Sequence, residues 1–85
     1  MFDIQFSTHA KKDLAKLPKP LQKRIIQKLT FFAGQEDPLL FAKTLTNFSP
    51  LTHRFRVGDY RIAFYIENET ISIEKIAHRK EVYLT

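Results

Sequence analysis

Arg54, Arg56 and Arg61, set around a short turn, are the residues of this chain best suited to chemistry. They fall in the run Arg54-Phe55-Arg56-Val57-Gly58-Asp59-Tyr60-Arg61. A guanidinium stays ionised and presents a planar fork of N–H donors that matches the oxygens of a phosphate. Fixed around a reacting phosphate, such groups also stabilise the charge that builds up in the transition state. A second set stands near the C-terminus, in His78-Arg79-Lys80-Glu81-Val82-Tyr83. Imidazole titrates near neutrality, which makes His78 the better general acid or base on first principles. A tyrosine hydroxyl ionises near about pH 10 in water. Tyr83 therefore serves as a base only where arginines favour the phenolate; otherwise it can stack on a base.

The elements that must position these groups are legible from alternation. Leu51, His53, Phe55 and Val57 share one face, and Thr52, Arg54 and Arg56 the other. After Gly58-Asp59, Tyr60, Ile62, Phe64 and Ile66 fall together, opposed by Arg61, Ala63 and Tyr65. Period-2 patterning on both sides of a Gly-Asp turn signal predicts a β-hairpin with the arginines projecting from one face. Glu67-Asn68-Glu69 forms the next turn, and 70–77 a further strand. In that strand, plain alternation groups Lys75 with Ile71 and Ile73 and sends Ile76 to the opposite side. A bulge near Glu74-Lys75 returns Ile76 to the core; alternatively Lys75 sits at an edge, its stem covering apolar surface.

The N-terminal half supplies the support. Phe2, Ile4 and Phe6 alternate in a short strand, and Ser7 or Thr8 follows as a helix N-cap. Ala10, Leu14 and Leu17 form one apolar stripe on a lysine-rich helix. Pro18-Lys19-Pro20 ends that helix and opens another over 19–33, with Leu21, Ile25, Leu29 and Phe32 along one face and Gly34 expected at C′. Residues 35–50 are irregular, yet Leu39, Leu40, Phe41, Leu45 and Phe48 make them too apolar for a free linker. An ordered crossover with a helical turn is expected there. The order of elements predicts an α+β domain: an N-terminal strand, a two-helix hairpin, then an antiparallel sheet of about three further strands. The helices cover one face, and the basic face stays open.

Composition bounds the function. A chain of 85 residues fits a single small domain, 1–85, whose core is close to the minimum for independent stability. It carries no cysteine, which excludes disulfides, thiolate metal sites and thiol nucleophiles. His9, His53 and His78 lack metal-ligand spacing, so neither metal nor cofactor is expected. No apolar run reaches membrane-spanning length and no signal segment opens the chain, which points to a cytoplasmic protein. The formal net charge is +5 and the isoelectric point about 9.7, which favours polyanionic partners. Arginines on an exposed strand are often only solvated charges, Tyr83 can be only a packing residue, and the helical lysines can form a solvated outer face.

The run Phe55-Arg56-Val57-Gly58-Asp59-Tyr60-Arg61-Ile62, an acidic turn, a strand, and then His78-Arg79-Lys80-Glu81-Val82-Tyr83 resembles the RelE/ParE superfamily of toxins from type II toxin–antitoxin systems. The likeness is specific over roughly the last third of the chain and extends to the rest as a layout of elements. Within it the RelE-like branch is the nearer. That resemblance implies a ribosome-dependent endoribonuclease, an mRNA interferase that cuts translated mRNA. The partners it implies are the ribosome, mRNA and a cognate RelB-like antitoxin that holds the toxin inactive.

The family's active-site pattern carries onto Arg54, Arg56, Arg61, Arg79 and Tyr83. Arg61 and Arg79 are the candidates for phosphate and transition-state contact, and Tyr83 for proton transfer, with His78 as a secondary candidate. Arg54, Arg56 and Lys80 are assigned to RNA binding. Cleavage is expected through attack of the RNA 2′-hydroxyl without a metal. Thr52 stands where some relatives carry a further basic residue, leaving one side of the site short of cations. The chain also ends without the C-terminal helix that some relatives have. The alternative is a ParE-like inhibitor of DNA gyrase, which acts by protein binding and cuts no RNA. A third is a degenerate member that only binds antitoxin.

Overall fold

The computed structural model describes residues 1–82. Strand β1, Asp3–Phe6, leads into helix α1, Thr8–Ala15. Ser7 is the N-cap: its extended backbone directs Oγ to accept the Ala10 N–H at 3.0 Å. Helix α2 spans Lys19–Ala33, with Pro20 in its first turn, where a missing N–H leaves no bond unmade. Gln22 Nε2 donates to the Leu17 carbonyl at 2.7 Å and closes the corner between the helices. Ile25, Leu29, Phe32 and Ala33 recur at helical spacing and are the residues of α2 that reach the interior.

The end of α2 differs from expectation. Gly34 is the C-cap and stays in the right-handed region with φ −80°, its N–H shared between the Thr30 and Phe31 carbonyls. The chain leaves by a tightened last turn and does not reverse through a left-handed residue. The crossover then forms a single 3₁₀ turn at Pro38–Phe41, started by Asp37 Oδ1 accepting the Leu39 N–H at 3.1 Å. A short strand that the sequence reading did not contain, β2, follows at Ala42–Thr44.

Strands β3 (His53–Val57), β4 (Tyr60–Glu67) and β5 (Thr70–His78) run as successive hairpins, and α3, Arg79–Val82, closes the described chain. The sheet order is β1-β5-β4-β3-β2. It is mixed rather than wholly antiparallel: β1 lies parallel to β5, whereas β2, which the chain enters after the helices, runs opposite to both. Gly58 adopts φ +60° at the first turn position between β3 and β4, where a side chain would be strained. In the next turn Asn68 and Glu69 both have positive φ.

Phe32 of α2 stacks on Phe55 at 4.4 Å between ring centroids, and Phe55 on Phe64 at 4.2 Å. This three-ring column ties helix to sheet, with Ile62, Ile71 and Ile73 fully buried around it. In β5, Ala63 faces Lys75 while Phe64 faces Ile73, so Glu74 is the extra residue of a bulge. The bulge reading of this strand therefore holds: Ile73 and Ile76 both lie in the core, at 0% and 5% exposure. Among the described residues no helix is long and apolar enough to cross a membrane.

Candidate active site

Register places the cations. Across the face away from the helices, Lys43 pairs with Arg54, Arg54 with Ala63 and Ala63 with Lys75. The next row is Arg56, Arg61 and Ala77. Neighbouring positions in a row lie within side-chain reach of each other. Lys43, Arg54, Arg56 and Arg61, with Leu40, Phe41 and Ala42, line one cleft of about 290 Å3.

Arg61 is the most constrained of these side chains, at 7% exposure. Its Nη1 donates to the Gly58 carbonyl at 3.4 Å, and Arg56 Nε donates to the same oxygen at 3.4 Å. Among the described residues no carboxylate stands within ion-pair distance of Arg56 or Arg61, whereas His9 meets Asp13 and Arg79 meets Asp59. Among the described residues no enclosed side-chain nitrogen lacks a partner, so the Arg61 donors that make no bond are reached by solvent from the cleft it lines. An anion entering the cleft can accept from them. Lys43 and the rim of the cleft give that anion further cationic contacts.

The C-terminal candidates lie elsewhere. His78 pairs with Tyr60 and meets its ring edge-on at 5.4 Å. It shares the side of Ile76, the helix side of the sheet, and so faces away from Arg61. Its Nδ1 accepts the Lys80 backbone N–H at 3.2 Å, which leaves Nε2 as the ring nitrogen able to donate. Arg79 is half exposed and stands at the tip of the β3–β4 hairpin, where its backbone N–H donates to the Asp59 carbonyl at 2.7 Å and its Nε lies 3.8 Å from Asp59 Oδ1. Lys80 is exposed on α3. Tyr83 lies outside the described residues. Arg54, Arg56 and Arg61 are therefore brought together, and Arg79 is held at the hairpin tip by Asp59. Among the described residues no group of three His, Asp or Glu is arranged to hold a metal.

The family model for the ParE toxin of type II toxin–antitoxin systems matches residues 4–83. This chain belongs to that family. Its relatives include RelE-type toxins. It is 30% identical to toxin RelG of Mycobacterium tuberculosis over 84 residues, covering 96% of this chain and 95% of that one. It is 30% identical to toxin RelE3 of Methanocaldococcus jannaschii over 83 residues, covering 94% and 93%. The crystal structure of the toxin–antitoxin complex RelBE2 from Mycobacterium tuberculosis superposes with a TM-score of 0.74 at 29% identity, over 92% of this chain and 98% of that chain. The protein is thus the toxin of a toxin–antitoxin pair.

Two further cations, Lys43 and Lys75, stand at the candidate site. Lys43 sits on the three-residue β2 and is placed only by its pairing with Arg54. It adds charge beside Arg54, near the side that Thr52 leaves uncharged. Lys75 reaches the arginine face because the bulge at Glu74 reverses the alternation after Ile73. Its signal was the apolar pattern of β5, which is broken at Lys75.

Proposed function

We propose that this toxin is an endoribonuclease that cuts translated mRNA on the ribosome, and that a RelB-like antitoxin keeps it inactive. The single observation that carries this reading is the cleft in which Arg54, Arg56 and Arg61 converge with Lys43, with Arg61 buried and no carboxylate side chain among the described residues of the lining. That arrangement suits a phosphodiester. A guanidinium fixed against the scissile phosphate offsets the charge of the phosphorane formed when the neighbouring 2′-oxygen attacks. The P–O5′ bond then breaks, leaving a 2′,3′-cyclic phosphate and a 5′-hydroxyl.

Arg61 has the role of transition-state contact, and Arg54, Arg56 and Lys43 hold the flanking backbone. Arg79 stands close enough to the hairpin tip to reach a bound strand if it leaves Asp59. Proton transfer falls to Tyr83 or to a group supplied by the ribosome, since His78 faces the helices. An active site built mainly from arginines positions and stabilises but does little acid–base work, which is why the ribosome is assigned part of the geometry. RelBE complexes among the structural relatives support a RelB-like partner for this chain.

A second reading, inhibition of DNA gyrase, is favoured by the description of the matching family as ParE. Primer extension on a reporter mRNA in a purified translation system separates the two. Wild-type cuts at codon-phased positions, lost without ribosomes and lost in Arg61→Ala, are expected. Intact mRNA together with gyrase-linked DNA breaks would replace the nuclease with the gyrase inhibitor.

A further inference from the structure

Next to the cationic cleft lies an apolar hollow of about 60 Å3, and Arg54 and Arg61 line both. Its walls come from the 45–51 connection: Leu45, Phe48 and Leu51 fold back over a face that alternation alone leaves to charged side chains. Its floor is Ala63, the Cα partner of both Arg54 and Lys75. A methyl group between two long cationic side chains leaves a gap in the sheet surface. Lys75 completes the rim.

Phe48 is 39% exposed, so its ring is available as well as packed. A half-open apolar hollow ringed by cations matches a ligand that carries a flat, weakly hydrated group close to a negative charge. A nucleobase on its sugar-phosphate is that ligand: its face packs on an aromatic ring or a guanidinium plane, while its phosphate stays with the arginines. A hollow of this size takes one ring edge and has no space for a second base.

We propose that this hollow is a nucleobase subsite continuous with the cleft, with Phe48 as the surface the base packs against and Ala63 as the residue that leaves it room. The proposal rests on the reading of the cleft as an RNA site and extends it from backbone contact to recognition of a single base. Through it the toxin distinguishes where along a message it cuts.

The test uses the full chain with methyl-labelled Ala and Leu, titrated by NMR with a 2′-O-methylated trinucleotide that cannot be cut. Shifts at the methyl groups of Ala63, Leu45 and Leu51 are expected, and an abasic sugar at one of the three positions should abolish them while phosphate binding persists. Phe48→Ala should weaken the trinucleotide by about tenfold, Phe48→Trp should keep it, and Ala63→Val should fill the hollow and remove the methyl shifts. Phe48 is on the surface, and an unchanged amide spectrum elsewhere establishes that its variants fold.

Unshifted methyls at saturating RNA, or equal binding by wild type, Phe48→Ala and Ala63→Val, would overturn the proposal. So would a Glu-Leu peptide that shifts these methyls when RNA does not; the hollow would then belong to a protein ligand. Failure here is distinct from failure of the nuclease reading. Translated mRNA cut at unchanged sites and rates by Phe48→Ala would keep the nuclease and discard the subsite. A base seated in the hollow without any cutting on ribosomes would do the reverse.

Discussion

The Asp13 carboxylate accepts the backbone N–H of Ile76 at 3.0 Å, joining the first helix to the last long strand. The bulge at Glu74 interrupts the β4–β5 ladder, and where the pairing of β1 with β5 ends at Ile73, Ser7 and α1 take over as partners of the β5 backbone. Ser7 Oγ donates to the Glu74 carbonyl at 3.2 Å while capping its own helix, so both ends of the interruption are tied to α1. Asp13 is 16% exposed and its Oδ2 also meets His9 Nε2 at 3.4 Å. Removing the carboxylate leaves a part-buried N–H unsatisfied, which costs about 1–3 kcal/mol. Asp13→Ala is expected to unfold in urea with that loss of stability, and Asp13→Asn, which keeps an acceptor, with less.

Arg56 and Arg61 are direct cross-strand partners and share one acceptor, the Gly58 carbonyl. Like charges facing each other across a hairpin destabilise by roughly 0.2–1 kcal/mol. Arg61→Met keeps the packing of the stem and removes the repulsion and the buried charge. Its expected stability equals or exceeds that of the wild type in denaturant, while mRNA cutting in a purified translation system falls by about a hundredfold or more. Such opposed effects are what a site held at the expense of stability produces. A variant that lost stability and kept cutting would make Arg61 structural.

Much of this arrangement is legible in the sequence because period-2 alternation is a local signal. It reads β3, β4 and the Gly58-Asp59 turn directly, and the apolar spacing of α2 delimits that helix. What remained hidden depends on pairing between distant residues. The three residues of β2 carry no pattern of their own, so Lys43 acquires its place only beside Arg54. The hollow under Phe48 needs a loop to fold back over Ala63. His78 shows how one local feature propagates: the bulge that returns Ile76 to the core also moves His78 to the helix side. Without that extra residue, plain alternation would put His78 on the arginine face.

Gly58 offers a test of the hairpin that carries the arginines. Its φ of +60° is costly for a side chain, but a Cβ there would stand 3.6 Å from Arg24 Nη1, an ordinary contact. The cost of Gly58→Ala is therefore in the backbone, about 1–2 kcal/mol. For a domain of this length that lowers the melting temperature by roughly 4–8 °C for each kcal/mol. Gly58→Asn, whose side chain tolerates the left-handed region, is expected to lose less. Equal losses from both, measured by thermal unfolding, would place the cost in the crowding of Arg24 instead.

Lys43 and Lys28 distinguish the sheet face from the helical face as the path of RNA. Lys43 lines the cleft, whereas Lys28 lies on α2 with its Nζ 6.0 Å from the Phe31 ring centroid. Each phosphate neutralised on a single strand adds about 0.7 to the slope of log affinity against log salt. Lys43→Ala should therefore weaken binding of a single-stranded RNA to a similar extent for all sequences, and flatten the salt dependence by about that amount. Lys28→Ala should leave the slope unchanged, because a cation remote from the bound strand releases no counterions from it. Fluorescence anisotropy across a salt series measures both. A flattened slope in Lys28→Ala with an unchanged one in Lys43→Ala would move the RNA to the lysines of α1 and α2 and leave the arginine face to a different ligand.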